Sequence, residues 1–393
     1  MTATADPVIV LSAGEASGDL HGATLSEALR QLWPGITLKG MGGPRMAAAG
    51  VDVVADVSQH AVVGTNEALG RIPDLYRAYR RVQSLLSTER PRALVVIDFP
   101  EFNLRLARAA RRAGVPVVYF IPPQLWAWRR GRIRQMARRI NRVLGVLPFE
   151  EELYRAAGVP VDFVGHPLLD VLPLDLGREE ARRRLGLDPG ETVIGLLPGS
   201  RREEVERLLP PMLVAAQRLH TAGVSRHFAL ALAPTVNADA VTRRVRTALA
   251  DGGPGVDIVE RQTYEVMAAA DVVLISSGTA TLETALLGTP MVVCYRVSRL
   301  TEAVVRLMVR VRWCSLPNLI AGRAVVPEIL QDDLTAHRLA AEALRLIDDP
   351  VAATAQRTAF KEVRARLGEP GVAQRAARAV LETARLIAPA DRA

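Results

Sequence analysis

Lysine is nearly missing from this chain: Lys39 and Lys361 are the only two in 393 residues, yet the net charge is +8. The basic character rests on arginine, a bias we read as genome composition. Cysteine is equally scarce, with only Cys294 and Cys314. Two thiols build neither a disulfide framework nor a zinc cluster, and a reducing, cytoplasmic setting fits them best. No run of 18 apolar residues occurs, which excludes a transmembrane helix of ordinary length. The most apolar region, 114–128, is interrupted by Pro116, Pro122 and Pro123. The N-terminus has neither a basic segment nor a long apolar one, so no signal peptide is expected. The six histidines show no metal-binding spacing, and no Asp-x-Asp pair exists anywhere. The expected cofactor and metal content is therefore none.

Nearly half the residues are apolar, enough for two domains with proper cores. Strand-like runs alternate with helix-like ones through the first half. Strands are expected at 8–13, 37–40, 93–97, 115–120, 143–146 and 161–164. Helices are expected at 20–31, 72–86, 103–113, 129–141 and 150–157. A second alternating series begins at Thr192, with strands at 192–196, 227–232, 256–259, 272–275 and 291–294. Such alternation means βαβ units and parallel sheets. The fold class is α/β: two doubly wound, Rossmann-like domains with a ligand cleft between them, at the carboxyl ends of the strands. The expected division is an N-terminal domain over 1–170, a linker over 171–190, and a second domain over 191–345. C-terminal helices over 346–393 either pack back on the first domain or are swapped.

The charge is concentrated. Residues 102–149 hold eleven Arg and no Lys, Asp or Glu, so the rest of the chain sums to −3. The core of this segment is Trp126-Ala127-Trp128-Arg129-Arg130, followed by Arg132, Arg134, Arg138, Arg139 and Arg142. Such a segment attracts phosphorylated ligands or an anionic membrane surface. Without a recognised nucleic-acid motif, nucleic acid is the weakest option. A plain solvated helix face remains the simple alternative. The stretch 299–310 is a second basic amphipathic element, which either packs on its own domain or meets lipid.

Two motifs point to phosphate. Leu197-Pro198-Gly199-Ser200-Arg201 and Ser276-Ser277-Gly278-Thr279-Ala280-Thr281-Leu282-Glu283 each lead from an apolar strand through small residues into a helix. Such a turn collects free N–H groups and a helix N-terminus at one spot. Two of them in one domain suit a diphosphate, with Arg201 as charge partner and Glu283 accepting from a ribose hydroxyl. Without an Asp-x-Asp pair to hold a metal, backbone amides and Arg must neutralise the diphosphate.

In the first domain, Glu15, Ser17, Asp19 and His21 crowd the end of the first strand. Ligand contacts are expected there, although a tight turn with an ordinary cap explains part of the pattern. Gly40-Met41-Gly42-Gly43-Pro44-Arg45 fails the dinucleotide fingerprint, because Arg45 stands where the third glycine belongs. Asp98 ends the apolar strand 93–97 and is the candidate general base. Its alternative, a cap for a helix starting at Asn103, is weakened by the intervening Pro100. His166 is either a cleft-facing group or a turn histidine.

Together these segments resemble the lipid-A-disaccharide synthase family, inverting glycosyltransferases of the GT-B architecture. The residues carrying the likeness are 14–19, 42–46, 97–98, 123–129, 147–150, 165–166, 196–201, 277–283 and 315–322, in order along residues 8 to about 330. The resemblance implies transfer of a sugar from UDP-2,3-diacylglucosamine to the 6-hydroxyl of 2,3-diacylglucosamine 1-phosphate. The products would be a β-1,6-linked disaccharide 1-phosphate and UDP. It implies Asp98 as base, Arg201 at the diphosphate, and Asn318 among the UDP-binding residues. Glu15, Ser17, Asp19, His21 and Arg129 fall on the acceptor side. It also implies a peripheral enzyme on the inner face of the inner membrane, able to form a homodimer with swapped C-terminal segments. Glu101 departs from the Asp that some members carry after the proline of the Asp98 loop. The competing readings are a UDP-sugar 2-epimerase of the same fold and a non-catalytic nucleotide- or membrane-binding protein.

Overall fold

The computed structural model describes residues 6–56, 72–125, 133–222, 226–250, 252–299, 301–302 and 312–388. The chain forms two compact units: Met1–Val171 together with Leu367–Ala393, and Leu172–Arg366.

The first unit is built on seven strands: β1 (Val8–Ala13), β2 (Thr37–Met41), β3 (Asp52–Ala55), β4 (Ala93–Ile97), β5 (Val117–Phe120), β6 (Arg142–Gly145) and β7 (Val161–Phe163). They lie in the order β3-β2-β1-β4-β5-β6-β7, with every pairing parallel. The central strands are continuous apolar runs because both faces are covered; all five residues of β4 are buried. After β3 the chain crosses back to the far side of β1, so the sheet grows in opposite directions from the β1–β4 pair. Ala13 aligns with Ile97 in that pair, and the loops that follow these two residues share the switch point of the sheet.

The helix expected from Asn103 begins three residues earlier and spans Pro100–Arg112. Proline is well suited to the first helical position, where its missing N–H costs nothing. Asn103 is consequently a buried residue inside the helix rather than its start. Strand β3 is not among the strands expected from the sequence; it is a four-residue edge strand, too short for alternation to stand out.

The second unit carries β8 (Thr192–Leu197), β9 (Arg226–Leu232), β10 (Val256–Glu260), β11 (Val272–Ser276), β12 (Met291–Tyr295) and β13 (Glu328–Leu330). Their order is β10-β9-β8-β11-β12-β13, again all parallel. Leu197 aligns with Ile275, so β8 and β11 form the switch point here. The stretch 171–190, read from sequence as a linker, carries the helix Arg178–Leu185. Within it Arg182 is buried and bonds the Ala269 carbonyl at 3.0 Å and Asp271 at 2.8 Å.

The C-terminal helices divide at Leu367. Pro350–Arg366 belongs to the second unit, whereas Val372–Thr383 packs on the helix Ala16–Leu32 of the first. Polar contacts fix this last helix. The Asp170 carboxylate accepts from the N–H groups of Gly371 (2.6 Å) and Ala373 (3.0 Å). Arg142 bridges Asp162 and Glu382, the latter at 2.7 Å.

Candidate functional site

In the first unit, the carboxyl ends of β4 and β5 hold three non-glycine residues in left-handed backbone: Asp98 (φ +46°), Phe99 (φ +45°) and Ile121 (φ +56°). Each such residue costs on the order of 1–3 kcal/mol and persists only where its surroundings impose it. Here the surroundings are specific. The buried Asn103 amide donates to the carbonyls of Asp98 (2.8 Å), Ile97 (3.1 Å) and Ser12 (3.3 Å), and accepts from the Ser12 hydroxyl at 2.7 Å. The Tyr119 hydroxyl donates to the Asp98 carbonyl at 2.7 Å. Gly14 leaves room for the Phe99 ring; a Cβ there would stand 2.2 Å from it. Burial raises the Asp98 pKa above 3.8, opposed by the N–H of Phe99. A carboxylate so held is a stronger proton acceptor than a solvated one.

The four polar residues after β1 separate into different roles. Glu15 caps the helix Ala16–Leu32 in extended backbone without a side-chain cap bond, and Ser17 is exposed. Asp19 is buried, and its carboxylate accepts from the N–H groups of Gly43 (2.7 Å), Met46 (3.0 Å) and Arg45 (3.1 Å). It caps the short helix Pro44–Ala48 rather than its own. Met46 wedges between Gly22 and Gly42, whose added Cβ atoms would lie 2.5 and 2.4 Å from its sulfur. The glycine-rich loop is thus a packing device.

His21 has a ring Nδ1 with no partner and no solvent contact, although the residue as a whole is half-buried. Burial depresses its pKa to about 4. Burial, with His21 nearby, takes His166 to about 3. The His166 Nδ1 accepts from Leu168 N–H at 3.2 Å, which is what a turn histidine does. Arg129, with Trp126, Trp128, Arg130 and Arg132, lies outside the described residues, as does most of 299–310.

In the second unit the two phosphate-type motifs meet. A Cβ on Gly199 (φ +114°) would stand 3.2 Å from the Ser276 hydroxyl and 2.5 Å from Glu204. The Glu204 carboxylate accepts from the N–H groups of Ser200 (3.2 Å) and Arg201 (3.3 Å), and from the Arg201 guanidinium at 3.3 Å. These N–H groups at the start of helix Arg202–Thr221 are therefore taken within the chain, leaving Arg201 itself exposed. Only the glutamate half of a capping box forms here, because an arginine at the N-cap has no acceptor to offer; Arg201-x-x-Glu204 is not the Ser/Thr-x-x-Glu signature.

The other helix start, at Thr279–Leu286, is different. Ser277 donates to the Cys314 carbonyl at 2.9 Å. Gly278 and Thr279 are exposed, and the helix has no side-chain cap. An anion fits there. One turn on, burial raises the pKa of Glu283, while the Tyr264 hydroxyl donates to it at 3.3 Å. Asn318 is buried with its whole amide engaged. Oδ1 accepts from Val325 (2.7 Å) and Val326 (2.9 Å), and Nδ2 donates to Glu328 (2.8 Å) and the Val326 carbonyl (3.0 Å). Glu328 also accepts from Ser315 N–H at 2.9 Å. Asn318 braces the segment beneath the site and has no donor left for a nucleotide.

Sequence alone assigns no site role to Asn103, Tyr119, Glu204, Tyr264 or Glu328. Nothing local in the sequence marks them.

The lipid-A-disaccharide synthetase family model matches residues 9–382. This chain belongs to the lipid-A-disaccharide synthase family. Membership makes it a glycosyltransferase. It is 44% identical over 382 residues to the lipid-A-disaccharide synthase of Geobacter sulfurreducens, covering 97% of this chain and 98% of that one. It is 45% identical over 374 residues to the synthase of Anaeromyxobacter dehalogenans, covering 95% and 96%. Among solved structures it is similar to a putative UDP-N-acetylglucosamine 2-epimerase from Listeria monocytogenes. That match has a TM-score of 0.67 at 15% identity and covers 99% of this chain and 100% of the other. It is also similar to MurG of Acinetobacter baumannii, with a TM-score of 0.57 at 14% identity over 96% and 99%. These likenesses establish the fold, two Rossmann-like units of the GT-B type; the family match separates the chain from the epimerases. Among the described residues, no helix is long and apolar enough to cross a membrane.

Proposed function

We propose that this chain transfers 2,3-diacylglucosamine from its UDP derivative to the 6-hydroxyl of 2,3-diacylglucosamine 1-phosphate, releasing UDP and a β-1,6-linked disaccharide 1-phosphate. The observation that carries the reading is the family match over nearly the whole chain, and the site geometry supplies matching chemistry. Asp98 takes the proton from the acceptor hydroxyl as its oxygen bonds to the donor anomeric carbon. The bond from that carbon to the diphosphate breaks on the opposite face, which inverts the configuration. Negative charge then grows on the departing UDP. Arg201 and the open helix start at Gly278-Thr279-Ala280 stabilise it, while Glu283, oriented by Tyr264, accepts from the ribose. Ser277, Gly199 and Ser200 shape the loops around the nucleotide without being its main donors.

On the acceptor side, Glu15 and Ser17 border the Asp98 loop through the β1–β4 pairing, and Asp19 and His21 support it from within the unit. The arginine-rich segment that includes Arg129 docks the enzyme on an anionic membrane surface at the cytoplasmic face, and two copies associate. The test of the reaction is release of UDP by the purified chain. It should require both the UDP-diacyl sugar and the acylated sugar phosphate, with mass spectrometry showing the disaccharide 1-phosphate. UDP released equally with water as the only acceptor would refute the transfer.

A further inference from the structure

The first unit contains a groove of about 1340 Å³ between the helices Ile72–Thr88 and Pro100–Arg112. It exceeds the roughly 300–1,000 Å³ of most small-molecule pockets. Its floor is apolar and aromatic. Phe99 stacks on Phe102 with ring centroids 5.5 Å apart, and Tyr79 meets Phe102 edge-on at 5.9 Å. Ile72 and Tyr76 on its lining are 55% and 61% exposed. Phe99, also on the lining, directly follows Asp98. The floor therefore borders the loop that carries the candidate base.

The rim is cationic. Arg105, Arg108 and Arg112 fall at i, i+3 and i+7 along one stripe of their helix, and Arg80 and Arg139 line the groove from other helices. Among the described residues none of Arg105, Arg108, Arg112 and Arg139 is paired with a carboxylate. Arg139 donates to the Leu104 carbonyl at 3.1 Å. Desolvation and the nearby Arg108 lower its pKa. Two guanidinium groups that repel one another beside an apolar floor are a ready receptor for an anion. Glu101 is the acidic residue lining this groove.

We propose that this groove binds the acceptor: one of its two fatty-acyl chains lies along the Leu75–Tyr79–Phe102–Phe99 floor, and its phosphate meets Arg108 and Arg139. The inference rests on the acylated sugar phosphate proposed above and assigns it a place. A nucleic acid would leave the aliphatic floor unused, and a small phosphate ester would leave it uncovered. An amphiphile with an anionic head satisfies both the floor and the rim, and delivers a sugar hydroxyl to the loop carrying Asp98.

The test uses the full chain and two readouts. Binding of dodecyl phosphate below its micelle concentration, followed by calorimetry, reads the groove alone. Arg108→Ser with Arg139→Ser should weaken it at least about tenfold, as loss of charge-assisted contacts does, and should flatten its salt dependence. Leu75→Glu should weaken it as well, while Arg111→Ser, away from the lining, should not. In turnover, the double variant should lower kcat/KM for the acylated sugar phosphate by a similar factor, with KM for the nucleotide sugar within twofold. Unchanged dodecyl phosphate affinity in the double variant, with its melting temperature kept, would overturn the assignment. So would lost binding to phosphatidylglycerol vesicles with an unchanged KM for a short-chain soluble acceptor, since the groove would then hold bilayer lipid. If the wild type transfers no sugar but the binding results hold, the proposed reaction fails and the groove stands as an anionic-amphiphile site.

Discussion

The Tyr119 hydroxyl donates to the main-chain carbonyl of Asp98 at 2.7 Å, from the neighbouring strand. With the Asn103 amide on the same carbonyl, it holds Asp98 in left-handed backbone, the conformation in which the proposed base would act. Tyr119→Phe removes one of two donors and leaves the carbonyl satisfied, so it should cost about 1 kcal/mol of stability. As a positioning residue, Tyr119 should show its loss in kcat, with UDP affinity measured by calorimetry unchanged. Equal falls in kcat and melting temperature, rescued together at lower temperature, would make it merely structural.

Asp98→Asn keeps the shape of the side chain and removes its basicity. The fold and UDP affinity should stay near wild type, and the rate should drop by about 10²–10⁴-fold, the usual weight of a positioned acid or base. Activity within a few-fold of wild type would transfer the role to another carboxylate, with Glu15 and Glu101 first in line.

Two pH dependences follow from burial. Asp98 must be ionised to act, and its pKa is raised above 3.8, so the acid limb of kcat/KM should lie above that value. The same burial favours the folded state only while Asp98 is protonated; that contribution is present below pH 3.8 and is lost as pH rises through the raised pKa. The histidines have the opposite sign. His21 and His166 titrate at about 4 and about 3 in the fold against 6.5 when unfolded. Their contribution is complete above pH 6.5 and is lost as pH falls through the folded values. Each tenfold difference in proton affinity between the folded and unfolded chain is worth about 1.4 kcal/mol. Melting temperature should therefore fall steeply below pH 6.5, and His21→Gln should flatten the slope. An unaltered profile in that variant would show that His21 is not sealed from solvent.

Nucleotide binding should distinguish Arg201 from Asn318. Arg201→Ala removes an exposed cation and should weaken UDP by about 1.5–3 kcal/mol without lowering the melting temperature. Glu283→Ala should weaken UDP by loss of the ribose contact, and Tyr264→Phe by less. Asn318→Ala strands buried partners at Val325, Val326 and Glu328, each worth about 1–3 kcal/mol. It should depress the melting temperature strongly while the folded fraction keeps UDP affinity within a few-fold. Titrations showing the reverse order would relocate the nucleotide.

Activity should survive excess chelator, because the sequence offers no Asp-x-Asp pair for a diphosphate-bound metal and the proposed reaction relies on Arg201 instead. A rate lost on chelation and restored by Mg²⁺ would contradict this.

The sequence by itself determined the two series of buried parallel strands, the small-residue turns at 199–201 and 277–280, and an acid at the end of a buried strand. Burial on both faces writes continuous apolar runs, and a turn into a helix writes Gly and Ser; both are local demands, legible in a window of about ten residues. What only the tertiary structure decided is which side chains are already spoken for. Asp19 is saturated by N–H groups from 24 residues away or more. Ser12 and Asn103 meet across 91 residues because β1 and β4 are neighbours. Asn318 and Glu328 join a helix to an edge strand. Such partnerships depend on strand order and register, which bring together groups that leave no pattern along the chain. The arginine stripe at 105, 108 and 112 shows the same division. Its spacing is plain in the sequence, but its meaning came from the aromatic floor that a second helix closes beside it.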